Sequence, residues 1–154
     1  RVVGNDHFAV LIADDFLTHV GSGVTSDLVN AFEVTGKSLL SIMEVAEPNI
    51  SKYGVIIPNT SSTKISGLIE KPNQINAPSN LASIGRYVLT ADIFQTLRDL
   101  DAGIGEEIQL ADAVNIHAQK GLVESVQLNG KRFDCGSIEG FMEASIYEYS
   151  KRKN

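Results

Sequence analysis

The chain has one cysteine, Cys135, and no tryptophan in 154 residues. A lone thiol excludes a disulfide within the chain and a zinc site built on several cysteines. It fits a reducing compartment, so a cytoplasmic setting is expected. No apolar run approaches the roughly 20 residues of a membrane-spanning helix, so no membrane partner is expected. The opening segment, Arg1-Val2-Val3-Gly4-Asn5-Asp6, has neither an initiator methionine nor the apolar stretch of a secretory signal. A fragment or processed product of a longer protein is the expectation. Cations are also scarce: 13 Lys and Arg against 19 Asp and Glu give a net charge of −6. That speaks against a nucleic-acid partner, which needs clustered basic residues. It leaves room for a small anionic substrate at a locally basic site.

Several catalytic signatures are missing too. Gly130-Lys131 is not a Walker loop, and no Gly-x-Ser-x-Gly elbow occurs. Gly21-Ser22-Gly23 lacks a third glycine and a strand directly before it, so it reads as a plain loop. His7, His19 and His117 have no ligand spacing and are expected at the surface. Cys135 has no evident partner base and is expected to be a small buried residue.

What is present is patterned. Residues 8–13 are continuously apolar, as in a strand buried on both faces of a parallel sheet, and Asp14-Asp15 close the run. Ser26 can cap a helix that ends near Gly36, and 38–45 is a second strand, giving a βαβ-like unit. Residues 53–58 and 64–69 read as a hairpin around the turn 59–62. Residues 81–89 form another strand, 91–100 and 106–120 are helices around a loop at 101–105, and 123–128 is a strand. A last helix, about 137–152, carries Ile138, Phe141, Met142, Ser145, Ile146 and Tyr149 as its inner stripe, with cations at its C-terminal end. No repeat or linker appears, so one mixed α/β domain spanning 1–154 is expected.

Three places could carry chemistry. Asp14 and Asp15 sit at a strand's carboxyl end, where open α/β sheets bind ligands. They suit either a magnesium ion or a solvated turn. Asp134, in Arg132-Phe133-Asp134-Cys135-Gly136, lies between a strand and a helix start. It could join Asp14 as a second metal ligand or cap the helix. Glu70-Lys71 ends a hairpin strand. A Glu there can accept from sugar hydroxyls and a Lys can meet phosphate, or the two are a plain exposed pair.

Six segments in register resemble one family. They are Tyr53-Gly54-Val55, Ile69-Glu70-Lys71-Pro72, Ala77-Pro78-Ser79-Asn80-Leu81-Ala82, Gly85-Arg86-Tyr87-Val88-Leu89, Gly105-Glu106-Glu107-Ile108-Gln109-Leu110-Ala111-Asp112-Ala113 and Phe133-Asp134-Cys135-Gly136. Their order and spacing are similar to bacterial UTP–glucose-1-phosphate uridylyltransferases. The resemblance implies an α/β fold, a Rossmann-like nucleotidyltransferase mixed sheet with flanking helices, of which the N-terminal nucleotide-binding half is absent. Residues 1–154 would be the C-terminal, sugar-phosphate-binding part. It implies uridylyl transfer from UTP to glucose 1-phosphate, giving UDP-glucose and pyrophosphate without a covalent enzyme intermediate. By the same resemblance Asp14 and Asp134 match the magnesium-holding acids. Glu70 matches the sugar-hydroxyl acceptor, Lys71 the phosphate-contacting catalytic lysine, and Gly54 the glycine whose backbone lies against the sugar. A homo-oligomer and a missing N-terminal segment of the same protein are the implied partners. Ala13 departs from the family's proline before the metal acid, and the family's Gly-x-Gly-Thr-Arg loop is not in this chain. The alternatives are a thymidylyltransferase on glucose 1-phosphate and a non-catalytic sugar-phosphate-binding or regulatory domain. Expressed alone, the chain is expected to be inactive and poorly stable, because strand 8–13 would lack neighbours.

Overall fold

A computed structural model describes residues 3–59, 63–101 and 107–152. The sheet is organised around β6 (Leu81–Leu89), its longest strand. Along one edge β6 pairs antiparallel with β3 (Ser38–Glu44). Its other edge is shared by β1 (Phe8–Leu11) at one end and β4 (Gly54–Pro58) at the other, both antiparallel. The hairpin partner β5 (Ile65–Glu70) lies outside β4, and β7 (Val123–Gln127) adds to β3 in parallel. This is a six-stranded mixed sheet.

β3 explains why the sheet is sandwiched. Its first five residues are buried. Leu39 packs with Leu28 of α1 (Val24–Thr35), while its neighbour Leu40 packs into the cluster of α2 (Ile93–Asp99) and α3 (Leu110–Gln119). Successive side chains on a strand point to opposite faces, so helices cover both. A register shift lies between Leu40 and Ser41. The Ser41 hydroxyl is directed there at the carbonyls of Ile84 (3.1 Å) and Arg86 (3.0 Å), so the irregularity leaves no buried hydroxyl unsatisfied.

Several expectations change. The run 8–13 is not a doubly buried parallel strand. β1 is four residues long, antiparallel to β6, and alternates in burial, with Leu11 57% exposed. It lies across β6 from β3, so the two are not adjacent strands of a βαβ unit. An apolar run cannot report how many neighbours its strand has. Helix α1 starts after Gly23, without a side-chain cap, and Ser26 lies inside it; its end at Gly36 (φ 64°) is as expected. A two-stranded ribbon, β2 (Asp15–Leu17) with β8 (Arg132–Asp134), was not foreseen. Helix α4 (Ile138–Lys151) has the expected extent and is capped by Ser137, which accepts from the Gly140 N–H. Its expected inner stripe, however, faces outward: Ile138, Phe141, Met142, Ile146 and Tyr149 are all more than half exposed. The helix seats instead through Gly140 and Ala144, with Gly140 against the Asp134 backbone. Periodicity identifies an apolar face but not what covers it.

His19 and His117 are not surface histidines. His117 is 2% exposed and bonds Thr96 Oγ1 at 2.7 Å. The His19 ring is buried against Asp27, also at 2.7 Å. Each has a polar partner that sequence spacing does not reveal. Cys135 is half-buried. Most of the turn 59–62, most of the loop 101–105 and the Gly105-Glu106 start of its motif lie outside the described residues. Among the described residues no helix is long and apolar enough to cross a membrane.

Candidate functional site

The hairpin β4–β5 and the turn after β1 border one cavity of about 450 Å³. Asp14, Gly54, Glu70 and Lys71 all line it, so four of the five expected site residues come together. Gly54 and Glu70 are paired in register across the hairpin. A Cβ on Gly54 would stand 2.9 Å from Glu70 Oε2, so the missing side chain is what leaves room for that carboxylate.

Lys71 has φ 46°, in the left-handed region, and is the one non-glycine residue described there. For a lysine this conformation costs on the order of 1–3 kcal/mol. Its N–H is held by the Tyr53 carbonyl at 3.0 Å. The geometric consequence is specific. A regular strand would send Glu70 and Lys71 to opposite faces, whereas the left-handed turn lets both line the same cavity.

Asp14 lies in the turn between β1 and β2, and its carbonyl accepts the Cys135 N–H at 2.8 Å. That bond ties the turn to the end of β8, where Asp134 stands. Asp134 does not line the cavity, but its carboxylate converges with that of Asp14. The point a Cβ would occupy on Gly136 is 2.9 Å from Asp14 Oδ2 and 3.2 Å from Asp134 Oδ1. The two oxygens therefore lie within the span of one ion and its water shell. Magnesium commonly takes only one or two protein carboxylates and completes its shell with phosphates and water. The pair fits that ion. Among the described residues no group of three or more His, Cys, Asp or Glu could hold a metal.

Asp15 behaves differently from its neighbour. It is 6% exposed, accepts the Gly85 N–H at 2.7 Å through Oδ2, and pairs with Arg132 through Oδ1. Both of its oxygens are taken by protein donors, so it anchors the ribbon to β6 and is not a free ligand. Arg132 opens the segment Arg132-Phe133-Asp134-Cys135-Gly136, whose sequence gives it no role. Burial works against its charge, but the Asp15 carboxylate outweighs that and holds the guanidinium above its ordinary value. Tyr87 was also missed. It lines the cavity and its hydroxyl lies 3.3 Å from Ser83 Oγ. Burial first, with the Glu70 and Asp15 carboxylates, pushes its pKa up against the opposing hydrogen bond from Ser83. The available signal was alternation along β6, which puts Ser83, Gly85 and Tyr87 on one face.

Comparison with known proteins gives a consistent result. Residues 1–150 match the nucleotidyl transferase family. A UTP–glucose-1-phosphate uridylyltransferase of Pseudomonas aeruginosa is 40% identical over 152 residues, covering 96% of this chain and 54% of the relative. One from Staphylococcus epidermidis is 40% identical over 153 residues, covering 97% and 52%. A solved UDP-glucose pyrophosphorylase complexed with UDP-glucose superposes with a TM-score of 0.91 at 42% identity, over 97% of this chain and 59% of its own. The chain thus spans about half the length of the curated relatives it matches.

Proposed function

The chain belongs to the nucleotidyl transferase family, and from that premise we propose that it is the sugar-phosphate-binding part of a UTP–glucose-1-phosphate uridylyltransferase. In this reading an oxygen of the glucose 1-phosphate attacks the α-phosphate of UTP. A new P–O–P link forms, the bond to the β-phosphate breaks, and pyrophosphate leaves. Glu70 accepts from the sugar hydroxyls, and the Gly54 backbone lies against the ring. Lys71 meets the sugar's phosphate as a cation that can follow charge as it shifts during transfer. Asp14 and Asp134 hold magnesium, which when bound would neutralise phosphate charge. Catalysis is then alignment and charge compensation by groups already in place. Residues beyond this chain supply the contacts to UTP, and the protein works in the cytoplasm as a homo-oligomer.

The observation that carries the reading is Lys71. Its left-handed backbone turns a lysine and a glutamate into one cavity beside a glycine whose bareness makes room for the glutamate. Strained backbone of this kind concentrates where geometry matters to function. The same arrangement would suit a thymidylyltransferase, and a non-catalytic sugar-phosphate-binding domain would keep it too. The test is pyrophosphate release by the full-length protein with glucose 1-phosphate and magnesium, comparing UTP with dTTP. Turnover with UTP well above dTTP is expected. Preference for dTTP would select the thymidylyl reading. No turnover with either, alongside measurable glucose 1-phosphate binding, would select the binding domain.

A further inference from the structure

Arg132 has no part in the scheme above, yet it touches both sides of the site. It precedes Asp134 by two residues on β8, so both side chains share one face of the ribbon. Its Nη2 pairs with Asp15 and stands 3.7 Å from Asp134 Oδ2. Its Nη1 donates to the Tyr53 hydroxyl at 3.0 Å, and its guanidinium lies 5.1 Å from the centre of the Tyr53 ring. Tyr53 in turn precedes Gly54, and its carbonyl holds the strained Lys71. A continuous path therefore runs from the Asp14–Asp134 carboxylates, through Arg132 and Tyr53, to Gly54 and Lys71.

A plain cohesive role explains this poorly. The Arg132 side chain is 12% exposed and that of Asp15 7%, so the pair is largely out of water. Burial also leaves Arg132 Nε without a partner. Apolar residues of similar volume in place of both Arg132 and Asp15 would avoid the desolvation and the orphaned donor. What arginine provides is a rigid planar fork that engages separate partners at once and stacks on an aromatic ring.

We propose that Arg132 is a positioning residue: it sets the separation between the carboxylate pair and the Gly54–Lys71 lip, and so the alignment of the two reacting phosphates. The inference rests on the uridylyltransferase reading. Transfer needs attacking and leaving oxygens in line, and a misplacement of about 1 Å can cost 100-fold in rate. The loss of Arg132 should therefore appear in turnover, while glucose 1-phosphate, held by Glu70 and Lys71, still binds.

The experiment compares full-length wild type with Arg132→Lys, Arg132→Gln, Tyr53→Phe and the Arg132→Gln/Tyr53→Phe double variant. Steady-state kinetics, calorimetric affinity for glucose 1-phosphate and melting temperature are read for each. Arg132→Gln is expected to lose about tenfold or more in kcat, with glucose 1-phosphate affinity kept within about threefold. Arg132→Lys should fail to rescue turnover, because it restores charge but not the fork. The double variant should be no slower than Arg132→Gln, since both changes cut one path. Wild-type kcat in Arg132→Gln or Arg132→Lys overturns the proposal, as does additivity in the double variant. So does a parallel loss of affinity and melting temperature, which would mark a purely structural residue. If Arg132→Gln does not fold, Tyr53→Phe decides: a drop in kcat at unchanged melting temperature supports the path, and wild-type kcat refutes it. A wild type that makes no UDP-glucose is a separate outcome, because it removes the enzymatic reading itself and the inference with it.

Discussion

Gly54→Ala isolates the geometry of the sugar side. Gly54 lies opposite Glu70 on the hairpin, and its backbone is outside the left-handed region, so alanine fits the strand itself. The new Cβ would sit 2.9 Å from Glu70 Oε2 and 3.4 Å from Leu68 Cδ1. The second contact is ordinary. The first is short of van der Waals contact by about 0.5 Å or more, and the Glu70 carboxylate must move away. Because it is the free end of a flexible side chain, the fold should absorb the change. Alanine also loses less backbone entropy than glycine in a strand, by about 0.5–1 kcal/mol, so stability should be level or slightly raised. Function should not absorb it. Loss of one charge-assisted hydrogen bond to a sugar hydroxyl costs about 1.5–3 kcal/mol, or roughly 10- to 150-fold in KM for glucose 1-phosphate. The assay is UDP-glucose formation by the full-length protein at saturating UTP, with KM and melting temperature measured together. In a Glu70→Gln background the same change should add little, because the group it displaces is already impaired. A Gly54→Ala variant with wild-type KM would refute the claim that Glu70 reads the sugar beside Gly54.

Three further outcomes are expected. Asp14→Asn should lower kcat at least tenfold and weaken magnesium activation while leaving the melting temperature near wild type, because Asp14 lines the cavity and, among the described residues, its carboxylate has no structural partner comparable to those of Asp15; ordinary turnover in a magnesium titration would end the metal assignment. Glu70→Gln should act mainly on KM for glucose 1-phosphate and Lys71→Ala mainly on kcat, and Lys71→Gly should be as slow as Lys71→Ala yet more stable, since glycine relieves the left-handed strain; kinetics and thermal melts of the three variants decide it. Glu124 is held below its ordinary carboxyl value first by the Thr63 hydroxyl (2.6 Å) and, against some desolvation, by Lys37 (3.0 Å). Its stabilisation is therefore present above the unfolded-state pKa and lost as pH falls through the lower folded value. Glu124→Gln should melt below wild type at neutral pH, and the gap should close as pH falls through the lowered folded-state value; a gap that persists once the carboxyl is protonated would show that its charge is not what stabilises.

The physical origin of what the sequence revealed is uneven. Strand and helix periods fixed β3, the hairpin, β6, β7 and the extent of α4, because those signals are local and repeat. The site residues were legible through short segments in register, not through their own chemistry: Glu70-Lys71 alone reads as an exposed ion pair. What stayed hidden were contacts between residues distant in the chain. Asp14 and Asp15 are indistinguishable by type and adjacent by number. They separate only because Gly85 and Arg132, 70 and more positions away, bind one and leave the other. The β2–β8 ribbon escaped notice for the same reason, since three-residue strands carry too few positions for a period to show. Lys71 was half legible. Its place at the end of a hairpin strand is readable, but nothing local forces a lysine to positive φ. The bond that accompanies it, from the Lys71 N–H to the Tyr53 carbonyl, comes from across the hairpin. It is a place where local preference and global fold disagree, and such disagreements are expected where a structure serves chemistry rather than cohesion.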